Sequence, residues 1–135
     1  MTRRILDTMS VSLLMKGEAV AVEHLSGCKP GSISIPQPVV AEIAFGLARM
    51  VESKRKRNLE TRFQALLHNL QREPWTDQVS LMFGKTKALL EARGEPLEDF
   101  DVAIAAHALA RQGILVSDNI RHLGRIPGLV LESWG

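Results

Sequence analysis

Four acidic residues in the 135-residue chain stand next to predicted strand ends or helix starts, where their side chains could act together. They are Asp7, Glu42, Asp101 and Asp118. Carboxylates that gather at one place repel one another, so they stay ionised only if a cation lies among them. All-oxygen ligation favours magnesium or manganese over zinc. Such a site can activate water and stabilise the in-line displacement of a phosphoryl group.

Each of these carboxylates also has a purely structural interpretation. Asp7 could cap the helix that follows it, and Glu42 could be solvated, although it borders an apolar helix stripe where an unpaired charge is costly. Asp101 could complement the dipole of its helix, and Asp118 with Asn119 is a common turn pair. Taken singly, most of them favour the structural interpretation. Their joint placement at one edge of a sheet favours a shared site.

The elements that must position these acids alternate between strands and helices. Apolar stretches predict strands over residues 4–7, 32–36, 114–117 and 129–131, and a brief strand at Pro74 and Trp75. Helical spacing predicts helices over residues 10–16 with Ser10 as N-cap, 18–26, 37–51, 59–70, 78–92 up to Gly94, and from 97 to an end at Gly113. This order predicts a single α/β domain over residues 1–135 with a mostly parallel sheet and a helical hairpin within residues 37–71. Ligands bind beyond the carboxyl ends of such strands.

The composition bounds the protein's class more than its partners. With 45% hydrophobic and 24% charged residues, the chain is an ordinary globular protein, and a net charge of +2 is too mild to prove a nucleic-acid partner. The single cysteine, Cys28, excludes an internal disulfide framework and a cysteine-rich zinc site. No segment resembles a signal peptide or a membrane span, which predicts a cytoplasmic protein without a membrane partner.

Two basic clusters stand out from this mild net charge. The first is the run of four basic residues from Lys54 to Arg57, which includes Arg55 and lies at the tip of the predicted helical hairpin. A solvated loop and an RNA-binding surface are about equally supported there. The second contains Arg121, His122 and Arg125, which follow Asp118 and therefore lie nearer the predicted site. Contacts to a phosphate backbone are the favoured interpretation for this second cluster.

Three stretches, in this order along nearly the whole chain, resemble the PIN-domain ribonucleases, specifically the VapC-type toxins of bacterial toxin–antitoxin pairs. They are "ILDTMSVSLLMKG" near the start, "ISIPQPVVAEIAFGL" in the middle and "EARGEPLEDFDVAIAAHALARQGILVSDNIRHLGRIPGLVLESWG" at the end. The last is the most specific. It has an aspartate followed by x-x-Ile-Ala-Ala, a strand, a polar turn, Ile-Pro-Gly-Leu and a terminal Trp.

The resemblance implies a PIN-like three-layer α/β/α sandwich with a protruding helical hairpin. It further implies a magnesium- or manganese-dependent endoribonuclease whose first three acids are Asp7, Glu42 and Asp101. The family's fourth acidic position falls at Asn119, and Asp118 beside it could reach a metal through water. Asp99, two residues before Asp101, is a further candidate for this fourth position. A homodimer, an RNA substrate and a cognate VapB-type antitoxin that occludes the site are also implied. The apolar helix faces at residues 39–51 and 59–70 also predict a homodimer and an antitoxin segment in the remaining groove.

One departure from the family pattern opens an alternative. Two residues after the first aspartate the family usually has asparagine or serine, whereas this chain has Met9, which offers no hard oxygen. Met9 and the missing fourth acid motivate a second hypothesis, a catalytically weak PIN domain that binds RNA or a partner. A third hypothesis is a small phosphatase or phospho-acceptor domain, which also ends its first strand in aspartate. No lysine stands where that chemistry needs one.

Overall fold

A computed structural model describes residues 2–135. Its elements follow one another in this order: β1 (Arg4–Leu6), α1 (Thr8–Met15), α2 (Ala19–Ser26), a 3-10 turn (Pro30–Ser32), β2 (Ile33–Pro36), α3 (Gln37–Ala48), α4 (Lys54–Asn69), β3 (Gln71–Glu73), α5 (Asp77–Ala92), α6 (Asp99–Arg111), β4 (Ile114–Val116), α7 (Ile120–Leu123) and β5 (Val130–Glu132). The predicted alternation of strands and helices is confirmed.

The five strands form one parallel sheet in the order β3-β2-β1-β4-β5. Parallel neighbours cannot be joined by a tight turn, so helices cross between them and cover the sheet. The strands are short apolar runs because they are buried on both faces: Ile5, Leu6, Ile33, Ile35 and Leu115 are all fully buried. The predicted α/β/α sandwich and the α3–α4 helical hairpin are confirmed.

The start of α1 differs from the prediction. The helix begins at Thr8, and its N-cap is Asp7 rather than Ser10. The Asp7 carboxylate accepts a hydrogen bond from the Ser10 backbone N–H at 2.8 Å, which satisfies one of the free donors of the first turn. The Ser10 hydroxyl instead donates to the Val116 carbonyl oxygen at 3.0 Å, which ties α1 to β4.

The start of α4 also differs. This helix begins at Lys54, not near Leu59, because the Ser53 hydroxyl accepts a hydrogen bond from the Lys56 N–H at 3.1 Å and caps it. The basic run Lys54 to Arg57 is therefore the first turn of a helix rather than a loop.

The third strand lies a few residues before its predicted position. β3 occupies Gln71–Glu73, and Pro74 and Trp75 lie outside it. Its register pairs Pro36 of β2 with Glu73, and the ladder ends there. The Glu73 carboxylate is buried and forms ion pairs with Arg3 and Arg111.

Two helix ends match the sequence closely. Gly94 has a φ of +70° just after α5, the left-handed conformation that glycine adopts most easily. Gly113 follows α6 where an added Cβ would lie 3.0 Å from the Arg3 carbonyl oxygen, so the close approach to β1 favours glycine. None of the helices in residues 2–135 combines the length and apolar character that crossing a bilayer requires.

Candidate active site

A cleft of about 620 Å³ opens where the strand order reverses. The chain leaves β1 through α1 and α2 to reach β2 on one side, and it returns through α6 to β4 on the other. The crevice between these diverging connections, beyond the carboxyl ends of the strands, is where parallel α/β folds bind ligands. All four acids predicted from the sequence line this cleft: Asp7, Glu42, Asp101 and Asp118.

Asp7 is both a helix cap and a residue of the cleft. Its backbone N–H donates to the Val116 carbonyl oxygen at 3.1 Å, so the residue is fixed at the junction of β1 and β4. One carboxylate oxygen, Oδ1, caps α1, and the side chain is 8% exposed. The structural and the chemical interpretations of Asp7 are therefore compatible, because the cap orients the carboxylate that lines the cleft.

Glu42 reaches the cleft from the second turn of α3 and is half-buried. The Thr8 hydroxyl donates a hydrogen bond to Glu42 Oε1 at 2.5 Å. Thr8 is the first residue of α1, so this bond joins the helix that carries the first acid to the helix that carries the second. A short hydrogen bond to a carboxylate restricts its rotamers and holds it in one orientation.

Asp101 lies in the first turn of α6 and faces the other two acids. Burial raises the pKa of Asp101, and the negative charges of Glu42, Glu98 and Asp7 raise it further, while His122 opposes the shift. Asp99, two residues earlier, is exposed and forms a 2.9 Å ion pair with Lys87. The two aspartates of this turn thus have different surroundings, and only Asp101 lines the cleft.

Asp118 follows β4 and is the most exposed of the four acids. Its Oδ1 accepts hydrogen bonds from the Ser133 hydroxyl and, at 3.3 Å, from the Gly135 N–H. Asn119, the residue at the family's fourth position, also lines the cleft. Asp118 is thus partly engaged by the last residues of the chain, in contrast to the three inner acids.

The donor set suits a hard divalent cation. Carboxylate oxygens are the preferred ligands of such ions. Burial and then the neighbouring negative charges raise the pKa of Asp101, and a cation would compensate both effects. Within residues 2–135 no three acidic, histidine or cysteine side chains are arranged to ligate one ion together. This arrangement fits an ion that keeps several waters and is held through one or two carboxylates, as magnesium commonly is.

The predicted basic residues are distributed unevenly around this cleft. Arg55 lines it, and Lys54 lines an adjoining cavity. Arg121 is exposed on α7, and neither it nor Arg125 is among the lining residues. Arg125 instead forms a 3.3 Å ion pair with Glu95. The structure therefore brings the first basic cluster to the cleft more closely than the second.

Two further residues of the site were not singled out by sequence reasoning as functional: Thr8, which orients Glu42, and Lys16, which lines the cleft beside Arg55. His122, which the sequence places in the second basic cluster, acts electrostatically on Asp101. Thr8 and Lys16 flank the first acidic motif, so their proximity in sequence was the available signal. Met9 also lines the cleft, and 55% of its side chain is exposed. An apolar wall completes the cleft: Met15, Ile43, Leu47, Met50, Leu59 and Ile104.

Two known proteins are similar to most of this chain. The chain is 31% identical over 106 residues to Ribonuclease VapC2 of Rickettsia felis, an alignment that covers 78% of this chain and 77% of that protein. It is 25% identical over 134 residues to the tRNA(fMet)-specific endonuclease VapC of Salmonella typhimurium, with 99% of both chains covered.

Solved structures are also similar to this chain, over nearly its whole length. The Rickettsia felis VapBC2 structure, bound to a promoter DNA fragment, matches with a TM-score of 0.89 and 27% identity over 99% of this chain and 100% of that chain. DNA-bound VapBC from Salmonella typhimurium matches with a TM-score of 0.90 and 25% identity over 100% of both chains. The PIN domain family model, whose nuclease members generally depend on divalent metal ions, matches residues 5–129. The chain therefore belongs to the PIN-domain family.

Proposed function

We propose that this chain is the toxin of a VapBC-type toxin–antitoxin pair, a Mg²⁺- or Mn²⁺-dependent endoribonuclease that hydrolyses RNA phosphodiester bonds. The observation that carries the proposal is the convergence of Asp7, Glu42 and Asp101 in one cleft at the strand-order switch. The names of the relatives support it, since one is a ribonuclease and another a tRNA-specific endonuclease.

The side chains divide the work of such a site. One or two of the carboxylates of Asp7, Glu42 and Asp101 would ligate the cation directly and the rest would reach it through bound water, with Asp118 at the outer edge. When bound, the ion would supply activation of water and neutralisation of charge on the phosphate. Thr8 keeps the Glu42 carboxylate oriented through their hydrogen bond. The buried position of Asp7 and the apolar wall limit the access of bulk water, which strengthens electrostatic interactions in the cleft.

The basic residues would bind the RNA backbone. Arg55 already lines the cleft, with Lys54 in the cavity beside it. Arg121 on α7 is exposed and available, whereas Arg125 would have to leave its ion pair with Glu95. Since the chain has few aromatic residues, recognition would depend on backbone shape and charge rather than on base stacking.

A VapB-type antitoxin is the proposed protein partner. The Rickettsia felis and Salmonella typhimurium structures are VapBC complexes, which supports this partner. The apolar wall of the cleft suits an amphipathic segment laid across the acids. We further propose a homodimer, because large apolar side chains are exposed outside the cleft: Phe45, Val51, Trp75, Leu81 and Phe100. Light scattering on the purified chain would test the dimer.

The decisive test is RNA cleavage by purified protein with Mg²⁺ or Mn²⁺. Asp7→Asn and Asp101→Asn should each abolish cleavage, because each removes a charge from the proposed metal site while keeping the size of the side chain. Asp99→Asn is the matched control: it lies two residues from Asp101 in the same helical turn, but it is exposed and pairs with Lys87. It should cut at the parent rate.

Equal cleavage by the parent, Asp7→Asn and Asp101→Asn would contradict the assigned site.

A second candidate, a catalytically weak PIN domain that binds RNA or a partner, is favoured by the exposed Met9 in the cleft. Calorimetric titration with Mn²⁺ separates the two functions. Binding that disappears in Asp101→Asn supports the nuclease, and no binding at millimolar Mn²⁺ supports the binding module.

A further inference from the structure

A second cavity, of about 400 Å³, adjoins the acidic cleft. We call it the basic cavity; it is lined by Lys16, Lys54, Arg55, Asn58, Leu59 and Arg62. Lys16, Arg55 and Leu59 line the acidic cleft as well, so the two cavities share a wall. None of the residues that line the basic cavity is acidic. A nearly neutral protein thus concentrates four cations at one concave place beside its acids.

The basic cavity is held in shape by a contact between two helices. Lys16 is the C-cap of α1, and the other lining residues lie between Lys54 and Arg62 of α4. The Arg62 guanidinium donates a hydrogen bond to the Met15 carbonyl oxygen at 2.8 Å, which bridges α4 and the end of α1. Lys16, Lys54 and Arg55 are exposed, and no ion pair within residues 2–135 involves them or Arg62.

Two of these cations are unfavourably placed for the folded chain alone. Lys54 and Arg55 begin α4, where the helix dipole disfavours positive charge. Lys56 offsets this cost through a 2.8 Å ion pair with Glu52, but the cations in the basic cavity have no such partner. Charges that destabilise a helix end locally are typical of functional sites, where a ligand supplies the compensation.

We propose that the basic cavity binds backbone phosphates of the RNA strand adjoining the cleaved bond, a proposal that rests on the nuclease function above. The shared wall makes the path continuous: a strand whose scissile phosphate lies among the acids passes Lys16 and Arg55 into the basic cavity. Lys16 and Arg62 thereby become RNA-binding residues. A chain of regularly spaced phosphates matches this placement, since it can occupy both cavities at once.

The test measures binding separately from cleavage. In the Asp101→Asn background, fluorescence anisotropy follows a short labelled single-stranded RNA over a salt series, without divalent metal. Lys16→Gln with Lys54→Gln should weaken binding about ten-fold at low salt and reduce the slope of log K against log salt by about 1.4, or roughly 0.7 for each lost phosphate contact. Lys85→Gln with Arg93→Gln removes the same charge from exposed residues outside both cavities and should change the slope by less than half as much.

A cleavage assay supplies the second arm. With all acids intact, the Lys16→Gln and Lys54→Gln double variant should raise KM for the oligonucleotide about ten-fold with kcat nearly unchanged, and circular dichroism should show an unchanged fold. If the parent cuts no RNA, the nuclease proposal fails. The salt slopes still test whether the basic cavity binds RNA, because they are measured without cleavage. Equal salt slopes for the two double variants would contradict the proposal that the basic cavity binds RNA. It would also be contradicted if polyglutamate competed for the site as well as an RNA of equal charge does.

Discussion

The acidic cleft and the side chain of His107 both take an ionisable group out of water, with opposite results. In the cleft, burial and three neighbouring negative charges raise the pKa of Asp101. His107 lies on α6 with its ring edge-on to Trp75, at 5.8 Å between ring centroids. It is fully buried, and neither ring nitrogen has a hydrogen-bond partner in the described part of the chain. Burial lowers the pKa of His107 to about 4.

The difference is in how each place relieves the cost of burial. His107 loses its proton, becomes neutral and packs as an aromatic ring, so nothing further is needed at neutral pH. The cleft cannot neutralise itself in this way without giving up the charges that several elements bring together. It also stays open to solvent, so a cation can enter. Burial alone therefore does not mark a functional site, whereas clustered like charges in an open cleft do.

The largest effect should separate the two places by activity. Glu42→Gln keeps an acceptor for the Thr8 hydroxyl but removes a negative charge from the cleft. We expect kcat/KM for RNA cleavage with Mn²⁺ to fall by about 10²- to 10³-fold, as when a single electrostatic group of an active site is removed. His107→Leu should leave cleavage within about two-fold of the parent. A comparable loss in both variants would mean that His107 belongs to the machinery.

Lowering the pH should reveal the buried His107 through a loss of folding stability. The pKa of His107 is about 4 in the folded chain against 6.5 for an unperturbed histidine, so the unfolded chain binds its proton first as the pH falls. The contribution of neutral His107 to the free energy of unfolding is therefore fully present above pH 6.5, and it is lost progressively as the pH falls to about 4. The difference of 2.5 pKa units corresponds to roughly 3 kcal/mol. Urea unfolding at both pH values should show this loss in the parent.

His107→Leu isolates this contribution, because the other titrating groups are common to both proteins. The variant should lose less stability than the parent between pH 6.5 and pH 4, by an amount near that figure. An identical pH dependence in the two proteins would show that His107 is not the buried neutral group described above.

The sequence predicts the cleft well because strand ends are local features. Asp7 directly follows a run of buried apolar residues, and Asp118 comes two residues after β4. In a parallel sheet such positions must share one edge, whatever the details of packing. The order of strands and helices was predictable for the same reason, since apolar runs and helical spacing were each readable within one element.

Several features that the sequence does not reveal depend on contacts between distant residues. The position of β3 is set by the pairing of Glu73 with Pro36 on β2. The apolar residue Trp75, on which the predicted strand was based, gives no information about this pairing. The bond from Thr8 to Glu42 spans 34 residues, and the ion pair that engages Arg125 needs Glu95 from another element. The start of α4 was missed because cations in a first turn oppose the helix dipole, and the Ser53 cap overrides that preference.

A smaller effect should appear in the stability of the metal-free protein. Because the pKa of Asp101 is raised in the folded chain, its ionised form destabilises folding at neutral pH, and this cost disappears as the pH falls toward the ordinary value of 3.8. Asp101→Asn should therefore stabilise the protein in EDTA, which a rise in Tm would show. Asp99→Asn, which loses only an exposed ion pair, should show no such gain.

Manganese should reverse that order. An ion that binds only the folded parent raises its Tm with concentration, and Asp101→Asn should lose most of this rise. Calorimetric scans with and without Mn²⁺ give both quantities on the same samples. A metal-free Asp101→Asn protein that melts below the parent would contradict the view that the cleft holds uncompensated charge.

The smallest expected effect concerns Met9, which lines the cleft one residue after Thr8. Its side chain is 55% exposed, so replacing it costs little folding free energy. Met9→Asn adds an amide oxygen at the mouth of the acidic site and should raise kcat/KM about three-fold, the scale of one partly solvated hydrogen bond. Met9→Leu supplies the same change of shape without the oxygen and should match the parent. An equal gain in both variants would assign the effect to bulk at the cleft mouth, and no gain in Met9→Asn would show that this position contributes no polar contact to metal or substrate.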